Sequence, residues 1–160
     1  MRYSHRSFSL GYKAIAMDTI VIHSDGSCYP NPGFGGYGAV IIHPDKKEDY
    51  ISNGEKNTTN NRMELIAAIV PMNRFKEKRN IILYSDSQYV VNGINKWLEG
   101  WKRKNKVMKN MDLWNKIYAL KNLHNIKARW VKGHSGDRYN ELADMLSTEG
   151  RLKVMNNNKI

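Results

Sequence analysis

The chain has 160 residues, enough for one domain with a buried core. An apolar fraction of 41% suits a globule, and no apolar run, such as Leu65 to Val70, approaches a bilayer span, so no membrane partner is expected. A formal charge of +11, without a long basic amphipathic helix, points to nucleic acid, while a single cysteine, Cys28, excludes an internal disulfide and a multi-cysteine zinc site and fits a reducing compartment.

Residues 1–16 are polar, rich in serine and basic (Arg2, His5, Arg6, Lys13). They are expected to form a disordered extension before an internal start at Met17, with one folded domain over 17–150 and a frayed polar tail over 151–160. A cytoplasmic location goes with that reading; an organellar one would follow if residues 1–16 act as a transit peptide.

Thr19 to Cys28 (TIVIHSDGSC) reads as a strand apolar on both faces, Ile20 and Ile22 on one and Val21 on the other, hence central in a sheet. It carries Asp25 near its far end. Such a carboxylate must hold a cation, join a hydrogen-bond network or be protonated, although a turn aspartate before glycine would also account for it. Tyr29 to Gly38, with two prolines and four glycines, reads as a turn-rich stretch. Ala39 to His43 is a second strand, Pro44 to Asp49 a hairpin turn, and Tyr50 to Gly54 a third, antiparallel strand.

Over Thr58 to Phe75 the period becomes helical, with Thr59 or Asn60 as cap and Leu65, Ala68, Ile69, Met72 and Phe75 on one face. Pro71 should kink or break that helix. Glu64 lies near its first turn, where dipole complementation alone would explain it. Asn80 to Gln88 (NIILYSDSQ) repeats the arrangement of the first strand, ending in Ser85-Asp86. Two carboxylates delivered from strand ends to one place repel, and a divalent cation reverses that repulsion. The repetition therefore suggests a magnesium site.

A helix is expected from about Ser87 to Leu98, burying Val90, Val91, Ile94 and Leu98. Trp97 and Trp101 stand one turn apart, and Lys102 to Lys109 (KRKNKVMK) carries five cations and no acid. Charge beside aromatic surface suits nucleic acid, although a solvated basic loop is the plainer account. Asp112 to Leu123 is a further helix, Ile126 to Val131 a strand, and Lys132 to Gly136 a loop that sets His134 between glycines. Tyr139 to Thr148 closes with a helix on which Asp144 interrupts the apolar side formed by Leu142, Ala143 and Leu146.

The segments SDGSCYPNPGFGGYGAV, TTNNRMEL, SDSQYV, NGI with its tryptophans, NMDLW, WVKGHSG and NELAD, in this order, make the chain resemble bacterial-type type 1 ribonuclease H from about Thr19 to Thr148. The resemblance implies an α/β ribonuclease H-like fold: a five-stranded mixed sheet, three antiparallel strands then parallel ones, flanked by helices. It implies an endoribonuclease, working as a monomer, that cuts the RNA strand of RNA/DNA hybrids and leaves 5′-phosphate and 3′-hydroxyl ends. Asp25, Glu64, Asp86 and Asp144 would be metal-binding and catalytic, holding two Mg2+ ions with substrate bound, or Mn2+ in their place; hard oxygen ligands fit such ions. His134 would assist proton movement or product release. Cys28 through its backbone, Asn31, Asn60 and Gln88 would read 2′-hydroxyls, Thr59 and Asn110 would bind a DNA phosphate, and Trp97 and Trp101 would line a DNA channel. Lys102, Arg103 and Lys104 belong to a basic segment several residues shorter than that of well-known bacterial members, and Asn57 replaces an arginine common near the phosphate pocket. A non-catalytic binding module and a DNA-acting nuclease of the same fold are the competing readings.

Overall fold

The computed structural model describes residues 18–158; the expected extension over 1–16 and the start at Met17 lie outside them. Five strands form one sheet: β1 (Thr19–Cys28), β2 (Gly33–Ile42), β3 (Glu48–Thr58), β4 (Asn80–Ser85) and β5 (Asn125–Trp130), in spatial order β3-β2-β1-β4-β5. The first three make an antiparallel meander, while β4 and β5 run parallel to β1 on its other side. β1 is thus central, as its two apolar faces require.

The helices are α1 (Asn60–Met72), α2 (Gln88–Asn92), α3 (Leu98–Arg103), α4 (Met111–Leu123) and α5 (Arg138–Asn157), with one π-helical turn, Gly93–Trp97, joining α2 to α3. Alternation along the strands separates two layers. Ile20, Ile22, Ile41, Ile81 and Leu83 pack with Leu65, Ala68, Met72, Ile94, Trp114 and Ile117 of α1, the π turn and α4. On the opposite face α5 packs across β1, β2 and β3.

Three expectations are corrected. The glycine-rich stretch read as turn over Tyr29 to Gly38 is strand from Gly33 onward. Its glycines serve close approach, since a Cβ on Gly38 would run into the Ala143 carbonyl and the Ser147 amide of α5 at 2.5 Å. The helix expected to reach Phe75 ends at Met72, one residue after Pro71, where the Asn73 amide closes on the Ile69 carbonyl at 2.8 Å; Phe75 is half-buried beyond it. The frayed tail is instead helix as far as Asn157, because Gly150, Arg151 and Val154 pack on β2 and β3.

The helix expected over Ser87 to Leu98 buries Val90, Val91, Ile94 and Leu98 as anticipated, but the π turn interrupts it. Two contacts hold that turn. Lys121 Nζ donates to the Ile94 carbonyl (2.6 Å), and the Asn95 amide pairs with Ala128 of β5, donating to its carbonyl (2.8 Å) and accepting from its N–H (3.4 Å).

Candidate active site

Four elements converge where β1 and β4 end. β1 delivers Asp25, only 6% exposed, and the following Gly26 has no room for a side chain because a Cβ would run into the backbone of Met63 and Glu64. That contact seats the start of α1 on β1. Thr59 fixes where α1 begins, its Oγ1 accepting from the Arg62 amide (3.2 Å). Glu64 then lies one turn in and is 4% exposed, and its carboxylate accepts the Gly26 N–H. Helix-dipole complementation does not account for a glutamate so deeply buried and so bonded.

Asp86 follows β4, half-buried, and its backbone carbonyl accepts from Trp130 Nε1 at 3.0 Å. Carboxylate oxygens of Asp25, Glu64 and Asp86 all lie within 4.8 Å of one another. Asp144 of α5 stands outside this tight group but raises the proton affinity of Asp25 and lines the same cleft. The cleft, about 310 Å³, is lined by Asp25, Asn60, Glu64, Asp86, His134 and Asp144, together with Gly26 and Ser87.

Crowding shows in the proton affinities. Burial first, then the charge of Glu64 and hydrogen bonds to Glu64 and Asp144, push the Asp25 carboxyl up to about 11. Burial also raises Glu64, to about 7, helped by the charge of Asp86 and opposed by hydrogen bonds from Asp25, Gly26 and Ser87. Carboxyls so disfavoured as anions, offering only oxygen, fit a hard divalent cation. The loop above leaves room for one: a Cβ on Gly133 would lie 2.6 Å from Asp86 Oδ2. Beside it His134, exposed with a left-handed φ of 56°, faces the cleft.

Around this centre the expected binding residues fall into two groups. Asn60 lines the cleft, and its amide donates to Asn31 Oδ1 (3.1 Å), which brings those two together. Cys28 stands at the end of β1 with its thiol donating to the Pro30 carbonyl (3.3 Å), and Gln88 is exposed at the start of α2; neither lines the cleft.

The second group lies along α2, α3 and α4. Trp97 and Trp101 stand 6.0 Å apart between ring centroids, and Trp101 meets Trp114 edge-on at 5.4 Å. Lys102 is tied down, donating to Asn115 Oδ1 (3.0 Å) and lying 5.0 Å over the Tyr118 ring, whereas Arg103 and Lys104 are exposed. Asn110, left-handed at φ 64°, joins the Tyr89 hydroxyl through its amide (3.2 Å).

Arg62 connects the groups, and sequence reasoning missed it. Its amide bonds Thr59, while its guanidinium donates to Asn110 Oδ1 (3.3 Å) and pairs with both oxygens of Asp112 (3.0 and 2.7 Å). It thereby joins the two residues expected to bind phosphate; its place three residues after the capping Thr59 was the available signal. Trp114, fully buried with Nε1 on the Tyr89 hydroxyl (2.9 Å), and Trp130 were missed as well. Their periodicity marks only core or edge.

The chain resembles proteins of known kind over nearly all of this structure. The RNase H family model matches residues 17–151. Ribonuclease H of Thiobacillus denitrificans is 45% identical over 143 residues, covering 86% of this chain and 96% of its own, and that of Maricaulis maris is 46% identical over 141, covering 84% and 94%. Among solved structures, LC9-RNase H1, a type 1 RNase H with the type 2 active-site motif, superposes with a TM-score of 0.73 at 26% identity, over 85% of this chain and 73% of that one. LC11-RNase H1 in complex with RNA/DNA hybrid shares the fold, with a TM-score of 0.67 at 22% identity over 85% and 99%. With a family model spanning the whole sheet and all four acids, and relatives near 45% identity along almost their entire length, the chain belongs to the ribonuclease H family and is a nuclease.

Proposed function

We propose that this protein is an endoribonuclease that hydrolyses the RNA strand of RNA/DNA hybrids, with Asp25, Glu64, Asp86 and Asp144 as its metal-holding carboxylates. The observation that carries the reading is the cluster of three buried or half-buried carboxylates whose oxygens lie within 4.8 Å. Folding gains nothing from such repulsion, and a divalent cation, Mg2+ or Mn2+, would convert it to attraction.

Two ions bound there with substrate would activate the attacking water and stabilise the leaving 3′ oxygen, giving 5′-phosphate and 3′-hydroxyl ends. The chain's own residues do the rest. Gly26 N–H holds the Glu64 carboxylate toward Asp25, and the Trp130 indole fixes the backbone at Asp86. His134, on an exposed loop facing the cleft, accepts or returns a proton near the departing group. Asn60, held by Asn31, meets the 2′-hydroxyls that distinguish RNA, with the Cys28 backbone and Gln88 beside them. Thr59 and Asn110, joined through Arg62, hold a phosphate of the DNA strand, while Trp97 and Trp101 offer aromatic surface next to Arg103 and Lys104. The protein acts as a monomer in this reading, its catalytic domain running over 17–150.

Cleavage of an end-labelled RNA/DNA hybrid tests this, with Mg2+, with EDTA and with Asp86→Asn. Cutting of the RNA strand alone, lost in the last two conditions, is expected. Binding of the hybrid without cutting would sink the enzyme reading, and equal cutting of duplex DNA would sink the substrate assignment.

A further inference from the structure

The edge strand β5 presents a second group of cations that the proposed site leaves unused. Lys127 and Arg129 are both exposed and two residues apart, so they stand on one face, beside Ile82 and Tyr84 of β4 in the register. From Tyr84 a row of rings runs back toward α5: Tyr84 stacks on His23 (4.8 Å), His23 on Tyr139 (5.0 Å), and the Arg138 guanidinium lies 5.2 Å over Tyr139. Arg129 flanks one end of this row and Arg138 the other. Lys132 is exposed where β5 runs into the His134 loop.

None of these four cations has an ion pair among the described residues. The acids facing them are otherwise engaged. Glu48, which feels the charge of Arg138, accepts from the Tyr139 and Tyr50 hydroxyls at 2.6 and 2.7 Å, and Asp137 caps α5 through the Asn140 amide (2.9 Å). Lysines on an edge strand can serve only to discourage strand pairing. This group is different in lying on the strand that runs into the loop seating Gly133 against Asp86.

We propose that Lys127, Arg129, Lys132 and Arg138 form a second phosphate-binding strip, which takes the nucleic-acid backbone where it runs off the acid cleft past the His134 loop. The strip rests on the hybrid-cleavage reading for its substrate. From Lys127 to Arg129 the strand advances about 7 Å, which matches two phosphates of one strand along the duplex axis. Its role is to add phosphate contacts beside those at the cleft.

The test is hybrid binding as a function of salt by the Lys127→Gln/Arg129→Gln double variant against its parent, both carrying Asp86→Asn so that nothing is cut. A control double variant, Lys78→Gln/Lys153→Gln, removes two exposed cations outside the strip. On a hybrid of about 24 base pairs the slope of log affinity against log salt is expected to become shallower by about 2 in the Lys127→Gln/Arg129→Gln variant, close to one for each phosphate left without its cation, with affinity down about tenfold; the control keeps the parent slope. The Lys127→Arg/Arg129→Lys pair keeps the parent slope. Equal loss in the control overturns the strip and makes these residues part of the general field, and no loss in the Lys127→Gln/Arg129→Gln variant leaves them as edge charges. Failure of the unsubstituted protein to cut any hybrid would overturn the functional reading instead, and that result is separate from the binding slopes.

Discussion

The acid cleft and the tryptophan layer are built on opposite principles. In the cleft, Asp25 and Glu64 are buried together with proton affinities raised first by burial and then by a neighbouring carboxylate, Glu64 for Asp25 and Asp86 for Glu64, so local chemistry opposes the fold that assembles them. In the layer, every polar group on the buried rings is satisfied: Trp114 Nε1 and Asn110 Nδ2 both donate to the Tyr89 hydroxyl, and Trp101 packs edge-on against Trp114. One region holds its geometry at a cost in stability; the other supplies stability and offers its outer ring, Trp97, to solvent.

The contrast breaks most visibly at Asp25. Asp25→Asn is expected to lower the cleavage rate by at least about 10²–10³-fold, the scale of losing one charge-stabilising group. It should also raise the stability of the metal-free protein at neutral pH, by about 1–3 kcal/mol, since a carboxyl that must take up a proton to be buried gives way to a neutral amide. Thermal melts beside rate assays read both, and a fall in Tm together with activity would refute the idea of a cleft that strains the fold. Trp114→Ala should do the reverse, costing about 3–5 kcal/mol of stability while leaving the acids in place in whatever fraction stays folded. Chemical denaturation at constant pH measures it; a cost under about 1 kcal/mol would deny the layer its supporting part.

A third measurement is the pH profile of the metal-free chain. With folded-state values of about 7 for Glu64 and about 11 for Asp25, both above the ordinary carboxyl range near 4, the folded state binds more protons than the unfolded one throughout that interval. Stability should therefore fall as pH rises above about 4, the Glu64 share being complete near 7 and the Asp25 share continuing beyond. Saturating Mg2+ should flatten the slope, and a slope of the same steepness with and without it would place the cation elsewhere.

How much of this was legible depended on whether a residue's local neighbours carried its purpose. The four acids could be found because each sits in a short motif, and Asp25 and Asp86 because two strands end alike. The cap at Thr59 was visible for the same local reason. The glycines of β2 misled because their reason lies in α5, far along the chain, whose backbone needs the space a Cβ would fill. Arg62, Trp114 and Trp130 escaped because an arginine on a helix, or a tryptophan in an apolar pattern, has the same appearance whether it is bonded to a partner 50 residues away or to water. The continuation of α5 to Asn157 was hidden likewise, since its polar residues are helical through packing on β2 and β3 and not by their own periodicity.

That helix carries a consequence for how the protein comes into being. Asp144 reaches the cleft only when α5 has settled on the glycines of β2 and the Ser147 hydroxyl has met that of Ser27, residues 120 positions apart. Contacts so distant form late. During synthesis Asp25, Glu64 and Asp86 all precede α5, so the fourth carboxylate is the last of them to be made. The cleft proposed to hold the cation is thus complete only after the chain has been made through α5.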